Sequence, residues 1–169
     1  MTRAVLAVLL LAAACGTSPH ANDGAHTADL EPSPTVPPPS DARATIRLTG
    51  SAGEVVVKAE VVASPGAVQR GLMYRNHLPP DEGMLFLMGN EDDHNFWMHN
   101  TLIPLDIIFI TRDLTVAGVS ANATPRTDEH RSVGKPSLYV LEVNGGWCAK
   151  HGVGEGTKVA FDGVERAAH

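Results

Sequence analysis

Eight short runs rich in apolar and β-branched residues follow one another between Thr45 and Phe161. Each is broken within a few residues by Gly, Pro, Asn or Asp. Such a rhythm restricts the chain to a mostly β fold, because runs of five to nine residues between turns suit strands. The runs are Thr45–Thr49, Glu54–Val62, Met84–Met88, His94–Thr101, Leu105–Thr111, Leu114–Ser120, Leu138–Val143 and Thr157–Phe161. Two segments depart from the pattern. Ser64-Pro65 reads as an N-cap followed by proline at the first helical turn, with Val68, Leu72 and Arg75 on one face. That helix is expected to run to His77-Leu78-Pro79-Pro80. Trp147 to His151 reads as a second short helix, closed by Gly152. The expected fold is a small jelly-roll-like β-sandwich or a partly open barrel with one or two short helices. Residues 122–136 show no period and are expected to form a long surface loop.

The N-terminal part has a different composition. Arg3 precedes an unbroken apolar run, Val5–Ala14, which is too short to span a bilayer. Residues 1–14 therefore read as a signal peptide. Cys15 follows Ala12-Ala13-Ala14 directly, as in a bacterial lipobox, with Ala12 in the place where that motif usually has leucine. Cys15 is the expected lipidation site, and two acyl chains on it would give stable anchoring. Residues 15–43 hold Glu31-Pro32-Ser33-Pro34-Thr35-Val36-Pro37-Pro38-Pro39, which has almost nothing to bury. This stretch reads as a semi-rigid tether. One domain is then expected over residues 44–164, exported and held at the cell envelope.

Several chemistries are disfavoured by spacing. With Cys15 acylated, Cys148 is the remaining thiol, so no intrachain disulfide is expected. The net charge is −6 and no basic stripe occurs, which argues against nucleic acid as a partner. His94 and His99 are five apart, and strand geometry would point them to opposite faces. Neither a metal nor another cofactor is expected. Cys148 and His151, three apart on a short helix, could form a nucleophile pair, against the plainer reading of a small residue near a surface histidine.

The densest polar segment is His94–Asp106. Phe96, Met98 and Asn100 would share one strand face, and Trp97, His99 and Thr101 the other. Neither face is purely apolar, and an aromatic plane beside amide and hydroxyl groups is common equipment of a small-ligand site. Asp106 opens the apolar run Ile107–Ile110, where a carboxylate needs partners. The expected ones are Arg70 and Arg75. Glu142, inside Tyr139–Val143, poses the same problem. Two such carboxylates could be a glycosidase pair or two structural ion pairs.

Arg70–Arg75, Gly83-Met84-Leu85-Phe86, Phe96–Ile110, Tyr139–Glu142 and Gly146-Trp147 occur in that order. Together they resemble the domain of unknown function (DUF) 192 family over about Val55 to Phe161. The resemblance implies a compact, jelly-roll-like β domain, and it implies no reaction. Its polar positions fall here on Arg70, Arg75, Asn100, Thr101, Asp106 and Glu142. The family usually carries Lys or Arg where His99 stands and Ala where Cys148 stands. From these residues the expected role is a non-enzymatic envelope module. Arg70, Arg75, Trp97, Asn100, Thr101, Asp106 and Glu142 would form a polar cluster for a small polar ligand such as a carbohydrate. The alternatives are a hydrolase of an envelope polymer using Asp106 and Glu142, or a structural lipoprotein.

Overall fold

A computed structural model of the chain describes residues 43–164. The signal sequence, Cys15 and the tether lie outside the described residues. One seven-stranded sheet forms the fold: β1 (Arg43–Gly50), β2 (Gly53–Val62), β3 (Glu82–Asp92), β4 (Leu105–Ile110), β5 (Val116–Ala123), β6 (Ser137–Asn144) and β7 (Lys158–Asp162). Two short helices, α1 (Pro65–Arg70) and α2 (Trp147–His151), complete it. The strand order is β5-β4-β6-β3-β2-β1-β7. Every pairing is antiparallel except β2 with β3, which the α1 crossover joins in parallel. The sheet curls into a half-barrel whose edges approach each other. Thr115 bridges Lys158, and the Val116 N–H donates to the Thr157 carbonyl at 2.9 Å.

The curl explains the continuous apolar runs of the central strands. One core cluster gathers Ile46, Leu48, Val57, Leu85, Ile108 and Leu141, together with Trp147 and Cys148 of α2. A second, on the opposite face, gathers Leu72, Met84, Phe86, Ile107, Phe109 and Val140. Strands β3, β4 and β6 are thus covered on both sides, so alternation disappears from their sequences. The second face is roofed by α1, by the turns that follow it, and by residues 93–104.

Two elements differ from the sequence expectation. The helix begun by Ser64-Pro65 ends at Arg70, with Gly71 as its C-cap at φ 47°. A Cβ on Gly71 would lie 3.3 Å from the Phe86 ring, so the close approach and the backbone both favour glycine. Arg75 therefore reaches its partners from a loop and not from a helical face. His94–Thr101 is not a strand. Phe96 makes an isolated bridge with Arg131, and the chain turns at Asn100, which has φ 52°. Its side chains answer to separate needs and not to a pleat. Phe96 stands edge-on to Phe86 and Phe109, Met98 is fully buried, and Trp97 is 40% exposed.

Candidate functional site

Strand register decides where the two carboxylates of β4 and β6 go. Asp106 pairs with Val143, and Ile107 pairs with Glu142. Directly paired residues point to the same side, and neighbours along a strand to opposite sides. Asp106 consequently faces the side of Val143, and Glu142 the side of Ile107. The two carboxyls are on opposite faces of the sheet and share no cavity, so they do not form a glycosidase pair.

Asp106 is fully buried. Its partners are three backbone N–H groups and not the expected arginines. Oδ1 accepts from Asn122 at 2.7 Å and from Gly146 at 3.0 Å, and Oδ2 accepts from Cys148 at 2.7 Å. Gly146 and Cys148 belong to the first turn of α2, whose own N-cap supplies no side-chain bond. Asp106 thus caps α2 from a different strand, and it also satisfies the N–H of Asn122, where β5 departs from regular pairing with β4. Its role is architectural.

Cys148 is buried in the same place. Burial, reinforced by the neighbouring Asp106 carboxylate, holds its thiol well above the usual range. No hydrogen bond joins it to His151, whose ring lies on Trp147 and whose Nε2 approaches Asp81 at 3.8 Å. The Cys148–His151 pair is therefore not assembled.

Glu142 has a different setting. It is 5% exposed, and its Oε2 has no hydrogen-bond partner. That oxygen lies 3.7 Å from where a Gly71 Cβ would sit, and the residue lines a cavity of about 220 Å³ beneath the α1–β3 connection. Val68, Leu72, Met73, Phe86, Met88 and Phe96 supply apolar walls. Arg70, Trp97, Asn95 and Thr101 add polar groups. Burial pushes the Glu142 carboxyl up to about 8, against the opposing pull of Arg75. Arg75 is already engaged. It holds Glu60 through two bonds of 2.5 and 2.8 Å, and that pairing raises its own pKa. Glu60 and Glu142 flank Met84 on one row of the sheet. One arginine therefore serves two buried carboxyls, and Glu142 is the one left without a hydrogen bond.

Of the seven residues expected to cluster, Arg70, Trp97, Thr101 and Glu142 line the cavity. Arg75 sits behind it on Glu60. Asn100 does not line it but bonds Tyr74, and Asp106 is on the other face. The sequence reading missed Glu60, Tyr74 and Gly71. Glu60 carried a usable signal: a carboxylate in the β-branched run Glu54–Val62 needs a partner just as Asp106 does. Among the described residues no group of three or more His, Cys, Asp or Glu is placed to hold a metal ion.

Solved structures resemble the chain, two of them from named bacteria. A protein of unknown function from Novosphingobium aromaticivorans DSM 12444 is 40% identical, with a TM-score of 0.67, covering 69% of this chain and 83% of its own. A protein from Sinorhizobium meliloti 1021, described as a "putative transcription regulator", is 35% identical, with a TM-score of 0.70, covering 74% of this chain and 98% of its own. Among curated proteins none matches. The model of one family, described as uncharacterized ACR, matches residues 46–161. By that match, which takes in all but the first three and last three of the described residues, the chain belongs to the domain of unknown function (DUF) 192 family.

Proposed function

We propose that this chain is a non-catalytic binding module of the bacterial cell envelope, exported and anchored through Cys15. Its cavity under α1 takes a small polar ligand, carbohydrates included. One observation carries the reading. Glu142, which lines the cavity, carries a buried carboxyl oxygen without a partner, and buried polar groups are otherwise almost always satisfied. A ligand donor or acceptor would complete it. Trp97, exposed at the rim, offers an aromatic face to the same ligand. A hydrolase reading draws no support from Asp106, which is spent on three backbone N–H groups. Nor is transcription regulation carried over from the Sinorhizobium protein, given a net charge of −6 here and no basic stripe.

The test is a thermal-shift screen of the full chain against small polar compounds, repeated with Glu142→Gln. Ligands that stabilise the wild type and not the variant are expected. A screen in which no compound stabilises either form would overturn the reading.

A further inference from the structure

Resting on that reading, we infer that the cavity selects a short zwitterion, an unbranched ω-amino acid or a ligand presenting the same groups. The ammonium would sit on Glu142, the apolar stem along Leu72, Phe86 and Met88, and the carboxylate at Arg70.

Glu142 is the one carboxyl that lines the cavity, and it lacks a counter-charge of its own. The guanidinium of Arg75 is committed to Glu60 through both terminal nitrogens. No other charged group faces Glu142. Met84, Phe86 and Ile107 surround it from β3 and β4, and Thr101 from the 93–104 segment is uncharged. His99, at the outer side, is taken up by Asp128 at 2.6 Å. A ligand cation would supply what is missing. A sugar would instead press several hydroxyls against Leu72, Phe86, Met88 and Phe96, and the polar groups of Asn95, Thr101 and Glu142 would answer only some of them.

The mouth carries the opposite charge. Arg70 is exposed and lines the cavity, and its guanidinium makes no ion pair or hydrogen bond among the described residues. A simple alkylammonium leaves that charge unanswered, whereas a carboxylate at the far end of the stem answers it bidentately. The volume of about 220 Å³ corresponds to roughly seven waters at about 30 Å³ each, which suits a ligand of that order of heavy atoms.

Proton balance follows from the carboxyl's raised value of about 8. Near neutrality Glu142 carries its proton. When the ammonium docks, that proton leaves to solvent and an ammonium N–H donates to the Glu142 carboxylate. Affinity should therefore rise as pH approaches about 8 and level off above it, since alkylammonium groups stay charged to about 10.

The experiment is calorimetric titration of the full chain with 6-aminohexanoate, hexylamine, hexanoate and N-acetylglucosamine. The expected order is 6-aminohexanoate, then hexylamine, with hexanoate weakest, and a heat at neutral pH that varies with the buffer's ionisation enthalpy. Glu142→Gln should weaken both amines about tenfold or more, the size of a lost charge-assisted hydrogen bond. Arg70→Gln, at an exposed position, should erase the preference of 6-aminohexanoate over hexylamine. Hexanoate binding as well as hexylamine would overturn the inference. So would amine affinity that falls with pH, or a preference that survives Arg70→Gln. If Glu142→Gln does not fold, Arg70→Gln and the pH series decide alone. Glu142-dependent binding of N-acetylglucosamine without the amines would sink the zwitterion but leave the binding module standing. No binding by any probe sinks the zwitterion, and the broader reading then falls only if the compound screen is also empty.

Discussion

Tyr74 and Asn100 hold each other twice: the Asn100 Nδ2 donates to the Tyr74 hydroxyl at 2.7 Å, and the Tyr74 N–H donates to the Asn100 carbonyl at 2.9 Å. Both have positive φ, 63° and 52°. The clasp joins the turn after α1 to the 93–104 segment, the two stretches that roof the second core face. Removing the side chain and the tolerance for positive φ together should cost about 1–3 kcal/mol in Asn100→Ala. Asn100→Gly keeps the backbone freedom and should recover part of the loss. Denaturant melts of the two variants compare these terms. Equal stability of both with wild type would mean that the clasp contributes nothing.

Asp106→Ala leaves three buried N–H groups without acceptors and uncaps α2. A loss of about 3 kcal/mol or more is expected. Asp106→Asn keeps the acceptor for Asn122 and Gly146 but turns an amide toward the Cys148 N–H, so it should cost less than alanine and still be destabilising. Urea unfolding followed by Trp fluorescence measures both. Wild-type stability in Asp106→Ala would contradict the capping role.

Glu142 should make stability depend on pH in a particular direction. Its folded value of about 8 lies above the ordinary 4.5 of an unfolded chain, so the native state holds the extra proton between them. Its contribution is full below about 4.5 and is lost as pH rises through about 8. Relative to Glu142→Gln, which cannot titrate, the wild type should lose stability across that window and run parallel above it. Paired denaturant melts at a series of pH values read the difference, and a flat difference would show that Glu142 is not protonated in the fold.

Cys148 should be chemically silent. A buried thiol held above its ordinary range supplies little thiolate. Native protein should resist maleimide labelling at Cys148 and become reactive in denaturant. Cys148→Ala should stay folded, within about 1 kcal/mol of wild type. Rapid labelling of the native protein would restore Cys148 as a candidate nucleophile.

Cys15→Ser addresses the anchor. If two acyl chains on Cys15 hold the protein, the variant should leave the membrane fraction for the soluble one while the wild type stays bound. Wild type already in the soluble fraction of lysed cells would end the lipoprotein proposal.

Local sequence was enough to read the β-rich class and most of its elements, because alternation, β-branching and turn residues act over a few positions. Seven of the eight expected runs are strands within a residue or two at most ends, and α2 is where Trp147–His151 placed it. Sequence also showed that Asp106 and Glu142 needed explanation, since a carboxylate amid Ile107–Ile110 or Tyr139–Val143 costs too much to be unpartnered by accident. It could not say who the partners were. That depends on register: pairing Asp106 with Val143 sends one carboxyl to the N-terminus of α2 and the other to the opposite face. A slip of one residue would have exchanged them. The false strand at His94–Thr101 has the same origin, because Phe96 and Met98 are drawn inward by Phe86, Phe109 and the second core, and Asn100 is turned by Tyr74. Composition and spacing determined what this chain would build. Contacts between residues far apart in sequence decided which of its buried carboxyls became a brace and which was left facing a cavity.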